Sequence, residues 1–245
     1  MMLSGKTMLV TGGAGGIGGS IVSAGLAAGA RVVVWDLADP GKAGVAYSKI
    51  DLTREDQVRA GFDELDRQGL TPSVLVNAVG IFTHLMPFSE LSFEGFKEVL
   101  LTNAGSYFLT CREALRRCPR NLSIVNVSSA LSVKPIGLST AYSASKAVID
   151  SLTRSIAVEY GPKGVRANGV NPGPVSGVLL DKGVGEIASL LNCPPQAVME
   201  QILSVLPNSK LVESCEIAQT VIFLASDLAK NINGQSLNIC GGYAF

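Results

Sequence analysis

The 245-residue chain is 47% apolar and 16% charged, which is enough apolar material to bury one large core. Its 20 basic and 20 acidic side chains give a formal net charge of zero, without a long block of one sign. This balance excludes a basic nucleic-acid surface and a polybasic membrane contact. The single histidine, His84, excludes a multi-histidine zinc site, and we expect no metal. The five cysteines form no C-x-x-C pair, so reduced thiols are expected.

An uncharged stretch, residues 7–30, is long enough to raise the question of a membrane span. A cluster of glycines interrupts its middle, and no basic segment leads into it. We therefore expect neither a spanning helix nor a signal peptide, and a cytoplasmic protein without a membrane partner.

Apolar runs rich in β-branched residues alternate with helical patterns along the chain. The predicted strands are residues 8–12, 31–36, 46–51, 73–80, 122–129, 165–173 and 236–242. The predicted helices are residues 16–29, 53–68, 90–117, 141–160 and 214–226. This alternation favours right-handed βαβ crossovers. It predicts an α/β fold: one Rossmann-type domain over residues 1–245, with a doubly wound, seven-stranded parallel sheet and helices on both faces.

Residues 174–213 interrupt the alternation with four prolines and short apolar pieces. The segment is too long for a plain connection, so we expect an insertion with helices of its own. It follows the carboxyl end of the sixth predicted strand, the edge of such sheets where ligands bind. It is therefore a candidate lid over a substrate pocket.

The stretch TGGAGGIGGS, residues 11–20, follows the first predicted strand and opens the first helix. Glycines there allow a phosphate to approach the backbone, and the amino terminus of a helix favours an anion. Two patterns overlap in it: G-x-G-x-x-G beginning at Gly13, and T-G-x-x-x-G-I-G beginning at Thr11. The stretch alone does not decide between them.

Asp36 ends the second predicted strand, about twenty residues after the glycine turn, a spacing typical of dinucleotide-binding units. A carboxylate there accepts hydrogen bonds from ribose hydroxyls and repels a 2′-phosphate. The residue before Gly16 is Gly15 rather than a basic residue. Both features favour NAD over NADP as the cofactor.

Tyr142 and Lys146 lie four residues apart on a predicted helix and therefore share one face. A nearby ammonium favours the ionised phenol, so we expect Lys146 to lower the pKa of Tyr142 and to make it a useful base. Ser129 ends the fifth predicted strand, where its hydroxyl would reach a substrate oxygen. Asn103 lies in the helical stretch after the fourth strand.

In order and spacing, these motifs resemble the classical short-chain dehydrogenases/reductases over nearly the full chain. The matching segments are TGGAGGIG, IDLT, VNAVG, LLTNAGSYFLT, IVNVSS, AYSASKA, VRANGVNPGPV and EIAQTVIFLASDLAKNINGQSLNICGGY. The resemblance selects Gly12, Gly16 and Gly18 as the glycines that matter.

The resemblance implies a catalytic set of four side chains. Tyr142 would be the general acid/base, while Lys146 would lower its pKa and bind the nicotinamide ribose. Ser129 would hold the reacting oxygen, and Asn103 would hold a water that links Lys146 to solvent.

The resemblance also implies contacts with the cofactor at the glycine turn and at the ends of the later strands. These residues are Gly12, Gly16, Ile17, Gly18, Asp36, Leu37, Asp51, Leu52, Asn77, Ala78, Val79, Gly80, Tyr142, Lys146, Pro172, Gly173 and Val175. Asp51 would contact adenine, Asn77 would brace the central strand, and backbone near Val175 would hold the carboxamide. The substrate-binding residues would be Ser129, Leu131, Tyr142 and Pro174.

Three segments depart from the family pattern. The usual N-N-A-G is Asn-Ala-Val-Gly at residues 77–80, and the threonine of P-G-x-x-x-T is replaced by Gly177, with Ser176 one place earlier. The usual aspartate near the end is Cys240, for which we expect an effect on local packing or a subunit contact. None of these changes touches the four catalytic residues.

The leading hypothesis is an NAD-dependent oxidoreductase that interconverts a secondary alcohol and a ketone on a small molecule. A 3-oxoacyl-carrier-protein reductase and a cyclic diol dehydrogenase are the enzyme alternatives, and the short segment between Asp36 and Asp51 favours the latter. A dinucleotide-sensing scaffold is the non-enzyme alternative.

Mainly small or apolar residues are expected to line the pocket, with no arginine or lysine placed for an anionic group. They are Ala130, Leu131, Ile136, Pro174, Val175 and parts of 176–206. A small, weakly polar substrate is therefore expected. The resemblance further implies a homotetramer that assembles through helices 104–117 and 141–160 and through the C-terminal strand.

Overall fold

Seven strands form one parallel sheet, and the five central strands are rich in apolar residues because they are buried on both faces. The computed structural model describes residues 1–118 and 120–244. The strands are β1 (Thr7–Thr11), β2 (Arg31–Asp36), β3 (Val45–Lys49), β4 (Val74–Asn77), β5 (Ser123–Val127), β6 (Arg166–Pro172) and β7 (Ser236–Ile239). Their order is β3-β2-β1-β4-β5-β6-β7, and every pair is parallel. The predicted doubly wound sheet is confirmed.

Eight α-helices of the described residues connect and flank the strands. They are α1 (Gly16–Ala27), α2 (Glu55–Arg67), α3 (Phe93–Leu100), α4 (Ser106–Arg117), α5 (Thr140–Tyr160), α6 (Val178–Leu191), α7 (Pro195–Ser204) and α8 (Ser214–Ala225). A π-helical turn, Leu101–Gly105, joins α3 to α4. Helices α6 and α7 lie within the predicted insertion, whose action as a lid stays a prediction.

Alternation along β1 separates the interior into two cores, one on each face of the sheet. Met8 and Val10 belong to a cluster that also includes Ile21 of α1 and Ile217 of α8. Leu9, between them, belongs to the cluster that α2, α4 and α5 cover. Successive side chains of a strand point to opposite faces, so a five-residue strand serves both cores.

Strand β1 lies in the middle of the sheet, with β2 on one side and β4 on the other. The chain order reverses at this point, and in open α/β sheets ligands bind outside the carboxyl ends of the strands there. The glycine turn follows β1 directly, at the same edge as the ends of β4, β5 and β6. The topology thus gathers the predicted site residues along one edge.

Two predicted elements next to the site differ from the structure. Strand β4 ends at Asn77 rather than at residue 80, because the chain leaves the sheet after Ala78 N–H donates to the Thr11 carbonyl (3.0 Å). The single helix predicted for residues 90–117 is divided by the π-helical turn. Residues 37–44, all described, contain no helix between β2 and β3, in keeping with the short segment seen in the sequence.

Within the described residues, the helices lack the length and apolar character needed to span a membrane. No group of three or more His, Cys, Asp or Glu side chains in residues 1–118 and 120–244 is arranged to hold a metal ion. The His84 Nε2 atom lies 2.9 Å from a Glu98 carboxylate oxygen, on a part of the surface outside the candidate site.

Gly12 and Gly18 are required by close backbone contacts in the glycine turn. A Cβ added at Gly12, whose φ is +72°, would lie 2.8 Å from the Ala78 backbone. A Cβ at Gly18 would lie 2.0 Å from the Gly12 carbonyl oxygen. A Cβ at Gly16 meets no described atom within 4 Å, so this glycine leaves open space rather than relieving a contact. A Cβ added at Gly13 would meet the Val34 side chain, so a glycine at this position is explained by local packing.

Gly18→Ala is expected to lower the free energy of unfolding by about 1–3 kcal/mol, the usual cost of overpacking. Gly16→Ala is the matched control and is expected to leave stability unchanged or slightly raised, because alanine favours a helix. Urea unfolding of both variants measures the difference. Equal midpoints for the two variants would contradict this account of the turn.

Candidate active site

A cavity of about 550 Å³ opens at the carboxyl edge of the sheet, between the glycine turn and helices α5, α6 and α7. Its wall includes fourteen of the residues selected from the sequence. They are Gly16, Ile17, Gly18, Ala78, Val79, Gly80, Ser129, Leu131, Tyr142, Lys146, Pro172, Gly173, Pro174 and Val175. The structure therefore brings the predicted catalytic and cofactor segments to one space.

The predicted adenosine-side residues lie outside this wall. The Asp36 carboxylate accepts a hydrogen bond from the Ala14 N–H (3.0 Å), which holds it against the glycine turn. Leu37 is exposed, and Asp51 accepts hydrogen bonds from the Thr53 N–H and hydroxyl. The Leu52 side chain is buried in the core beneath and is therefore not available to a ligand.

Helix α5 places Tyr142 and Lys146 on the face that meets the cavity. The Lys146 Nζ lies 5.6 Å from the centre of the Tyr142 ring and donates a hydrogen bond to the Val127 carbonyl at the end of β5 (3.0 Å). Lys146 is 3% exposed. Burial lowers its pKa from 10.5 to about 8, and the nearby Asp150 carboxylate opposes this shift.

Tyr142 keeps part of its surface open to the cavity, yet burial by the surrounding protein raises its pKa to about 12. The Ser129 hydroxyl opposes this rise. The expectation that Lys146 lowers the pKa of Tyr142 below 10 is therefore wrong for this structure. The physical reason is that burial takes the phenolate out of water, a cost that the hydrogen bond with Ser129 offsets only in part.

Ser129 begins a short turn after β5, and its Oγ accepts a hydrogen bond from the Leu131 N–H (3.1 Å). A hydroxyl that accepts in this way keeps its own hydrogen for another acceptor. The side chain lies in the cavity wall together with Tyr142. Ser129 is thus placed to donate to an oxygen in the cavity.

Asn103 lies in the π-helical turn, a type of distortion found frequently at functional sites. Its Oδ1 accepts from the Ile81 N–H (2.8 Å), and its Nδ2 donates to the Ile81 carbonyl and to the Ser145 hydroxyl (3.0 Å each). A Cβ added at Gly80 would lie 3.4 Å from Lys146 Nζ and 3.7 Å from Asn103 Oδ1. The glycine therefore keeps a gap open between the amide and the ammonium.

Asn77 is fully buried below the cavity and holds three elements together. Its Oδ1 accepts from the hydroxyls of Thr11 (3.2 Å) and Thr110 (2.8 Å). Its Nδ2 donates to the Asn126 side chain (2.9 Å). The asparagine thereby ties β4 to β1, α4 and β5.

Several residues of the site were not singled out from the sequence. The Phe82 ring meets the Tyr142 ring edge to face, with centres 4.7 Å apart, and Tyr243 and Lys182 lie in the cavity wall. Lys182 corrects the expectation that no lysine is placed there. Buried Asp150 accepts hydrogen bonds from Ser132 (2.5 Å) and Ser236 (3.0 Å). Its position one helical turn after Lys146 was a readable signal.

Two of the three departures from the family pattern, Gly177 and Cys240, have local consequences. Gly177, at a φ of +134°, immediately precedes α6, and the Ser176 hydroxyl donates to a Glu213 carboxylate oxygen (3.2 Å). Cys240 is buried against Gly173, where an added Cβ would lie 2.8 Å from the Cys240 Cα. Its effect here is on packing beneath the cavity wall.

Lys146→Met is expected to stabilise the fold at neutral pH. Between about pH 8 and 10.5 the unfolded chain keeps a lysine proton that the folded chain releases, so stability rises with pH over this range. Methionine removes this cost, and the variant should exceed the wild type by about 3 kcal/mol at pH 7, with the excess shrinking towards pH 10.5. Urea unfolding across this range measures it. A difference that does not change with pH would refute the burial of a titrating ammonium.

Comparisons with known proteins agree with this geometry. A family model described as enoyl-(acyl carrier protein) reductase matches residues 12–244. A 2,5-dichloro-2,5-cyclohexadiene-1,4-diol dehydrogenase of Sphingobium indicum is 31% identical, over 99% of this chain and 97% of its own length. A D-threitol dehydrogenase of Mycolicibacterium smegmatis is also 31% identical, over 98% and 94% of the two chains.

A solved structure of an NAD⁺-bound xylitol dehydrogenase superposes with a TM-score of 0.95 at 25% identity, over 99% of this chain and 100% of that one. These matches span the whole fold, including the cavity. The chain belongs to the short-chain dehydrogenases/reductases, a family of oxidoreductases that bind nicotinamide dinucleotides.

Proposed function

We propose that this chain catalyses the NAD-dependent interconversion of a secondary alcohol and a ketone on a small molecule. The observation that carries the proposal is the single cavity in which the glycine turn meets Ser129, Tyr142 and Lys146. Relatives named as diol and threitol dehydrogenases support the reaction class.

The residues present fit a nicotinamide dinucleotide. Open space over Gly16 lies where α1 begins, and the amino terminus of a helix favours a phosphate there. The Asp36 carboxylate lies against the same turn, where it would accept hydrogen bonds from ribose hydroxyls and repel a 2′-phosphate. This arrangement supports NAD rather than NADP.

When bound, the nicotinamide ring accepts or supplies the hydride. In alcohol oxidation, the Tyr142 phenolate takes the hydroxyl proton of the substrate, and in ketone reduction the phenol returns it. Ser129 donates a hydrogen bond to the same substrate oxygen. The Lys146 ammonium, fixed by the Val127 carbonyl, stabilises the phenolate.

We infer that Tyr142 and Lys146 titrate as a coupled pair, because the Lys146 Nζ lies 5.6 Å from the centre of the Tyr142 ring. Because burial leaves Lys146 with a pKa of about 8 and Tyr142 with a pKa of about 12, the first proton leaves the pair near pH 8. These values make the neutral amine beside a neutral phenol the main form of the singly deprotonated pair, and the phenolate beside an ammonium is the minor form that accepts a proton from an alcohol. Oxidation is therefore favoured above this pH and reduction below it.

The gap over Gly80 offers a place for a water between Lys146 and Asn103, as the resemblance implies.

Individual features of the chain favour or oppose each of the alternative functions. Asp36 opposes a 3-oxoacyl-carrier-protein reductase, because we expect such enzymes to use NADPH. A cyclic diol dehydrogenase is the second candidate, favoured by the helix-free segment 37–44. The presence of all four catalytic side chains opposes a sensing scaffold.

A homotetramer forms part of this proposal. Phe108 of α4 and Val148 and Val158 of α5 are exposed by 48%, 40% and 80%, which leaves apolar surface on the two helices expected to form an interface. Light scattering that gives the mass of one chain at micromolar concentration would contradict it.

Tyr142→Phe removes the proton-transferring hydroxyl and is expected to lower kcat by about 10²–10⁴-fold, while NAD binding persists. Tyr160→Phe, on the same helix but outside the cavity wall, is the matched control and should keep full activity. NADH formation at 340 nm with a panel of alcohols measures both. NAD binding without turnover on any alcohol or ketone would instead favour the sensing scaffold.

Asp36→Ser is expected to lower the ratio of kcat/KM for NAD to that for NADP by at least about tenfold, since a charge-assisted hydrogen bond contributes about 1.5–3 kcal/mol. Asp39→Ser removes an exposed carboxylate from the same loop and serves as the control. An unchanged ratio in Asp36→Ser would remove the basis for assigning NAD.

A further inference from the structure

The substrate side of the cavity is almost entirely apolar. Its wall is built from side chains of the loop after β4, the turn after β5, and helices α6 and α7. Among them are Phe82, Leu131, Ile136, Leu180, Ile187 and Ile202. The described lining residues include no Asp, Glu, Asn or Gln side chain.

Two polar side chains of this wall already have partners. The Ser176 hydroxyl donates to a Glu213 carboxylate oxygen (3.2 Å), and the Tyr243 hydroxyl donates to the Lys134 carbonyl (3.4 Å). Lys134 also holds Tyr243 in place, because its ammonium donates to the Tyr243 carbonyl (3.0 Å) and lies 4.6 Å from the centre of the ring. Neither hydroxyl is therefore free to donate to a ligand without losing a bond, whereas each oxygen can still accept one.

Two other polar side chains of the wall, Ser128 and Lys182, do not face the substrate oxygen in the way that Ser129 and Tyr142 are proposed to. The Ser128 hydroxyl donates to the Lys146 backbone carbonyl (2.9 Å), and Lys182 is exposed near the start of α6, at the rim. Ser129 and Tyr142 are left as the hydroxyl pair for one substrate oxygen. A second or third hydroxyl on the same substrate would find no comparable pair in the described wall.

Phe82 gives this apolar wall a fixed shape. A Cβ added at Gly183 of α6 would lie 2.5 Å from the Phe82 ring, so the ring packs directly on the helix backbone. On its other side it meets Tyr142 edge to face. The ring is thus held between the helix that covers the cavity and the proposed acid/base.

We propose that the cavity selects a secondary alcohol or ketone with an apolar body and one reacting oxygen, discriminating against polyols, and that Phe82 is a specificity-determining residue. This inference rests on the proposed function. Each further hydroxyl of a polyol would have to give up bonds to water with few replacements in this wall, and an unsatisfied hydroxyl is costly to bury. A wall with one free hydroxyl pair and few other hydrogen-bonding side chains thereby favours a substrate with a single oxygen.

The test compares substrates that share one carbon ring: cyclohexanol, cyclohexane-1,3-diol and myo-inositol, each with NAD. We expect kcat/KM for cyclohexanol to exceed that for myo-inositol by at least about a hundredfold, the effect of leaving several hydroxyls unpaired. The diol should lie between them. Binding of cyclohexanone and of inositol to the NADH complex, followed by calorimetry, provides a second readout that does not need turnover.

Phe82→Gln and Phe82→Leu form a matched pair of variants. Phe82 touches Tyr142, so both variants affect kcat, and the informative quantity is the ratio of kcat/KM for cyclohexanol to that for the diol. Glutamine places an amide in the wall and should lower this ratio at least about tenfold, as one new hydrogen bond allows. Leucine keeps the wall apolar and should change the ratio by less than about threefold, a small fraction of the contribution of one hydrogen bond.

The outcomes separate the inference from the function on which it rests. Tyr142-dependent turnover that is equal or better on the polyols overturns the inference and leaves the oxidoreductase proposal intact. Cyclohexanone that neither binds nor reacts up to its solubility limit also overturns the inference. An equal fall in the ratio for both Phe82 variants shows that this residue does not determine specificity. Cofactor binding without turnover on any alcohol overturns the proposed function itself.

Discussion

The site depends on the burial of one ammonium against the carboxyl end of β5. Lys146 reaches the Val127 carbonyl from a neighbouring helix, and Tyr142 follows on the same face because the two residues are four apart. Burial lowers the pKa of Lys146, which favours the neutral amine, and raises the pKa of Tyr142, which favours the neutral phenol. In the proposed chemistry the two groups share one missing proton, and the phenolate beside an ammonium is the minor form that reacts.

Buried amides keep this arrangement rigid. Asn77 binds hydroxyls from two elements and the amide of Asn126, and Asn126 in turn donates to Thr153 of α5 (2.9 Å). Asn103 attaches the loop after β4 to α5 through Ser145. Buried polar groups of this kind are costly unless every partner is present, so the network allows few alternative packings. The cavity wall above it is mainly apolar. The buried amides fix the positions of the catalytic side chains, and the apolar wall is the basis of the proposed selectivity.

The alternation of apolar runs and helical patterns was sufficient to predict the sheet, because its five central strands are buried on both faces. Local signals did not predict the π-helical turn at Asn103, since it depends on bonds to Ile81, which is distant in sequence. Local sequence signals did not indicate the positions of Phe82 and Lys182 in the wall, because these positions depend on how α6 packs over the cavity. The Tyr142–Lys146 spacing identified the pair, but the balance between burial and charge is a property of the assembled site.

The pH dependence of kcat/KM for alcohol oxidation by the wild-type enzyme tests the shared-proton account most directly. The account predicts that the rate rises with pH through an apparent pKa near 8, where the Tyr142–Lys146 pair loses its first proton. A rate that stays flat from pH 6 to 10, or that begins to rise only as the pH approaches 12, would contradict it.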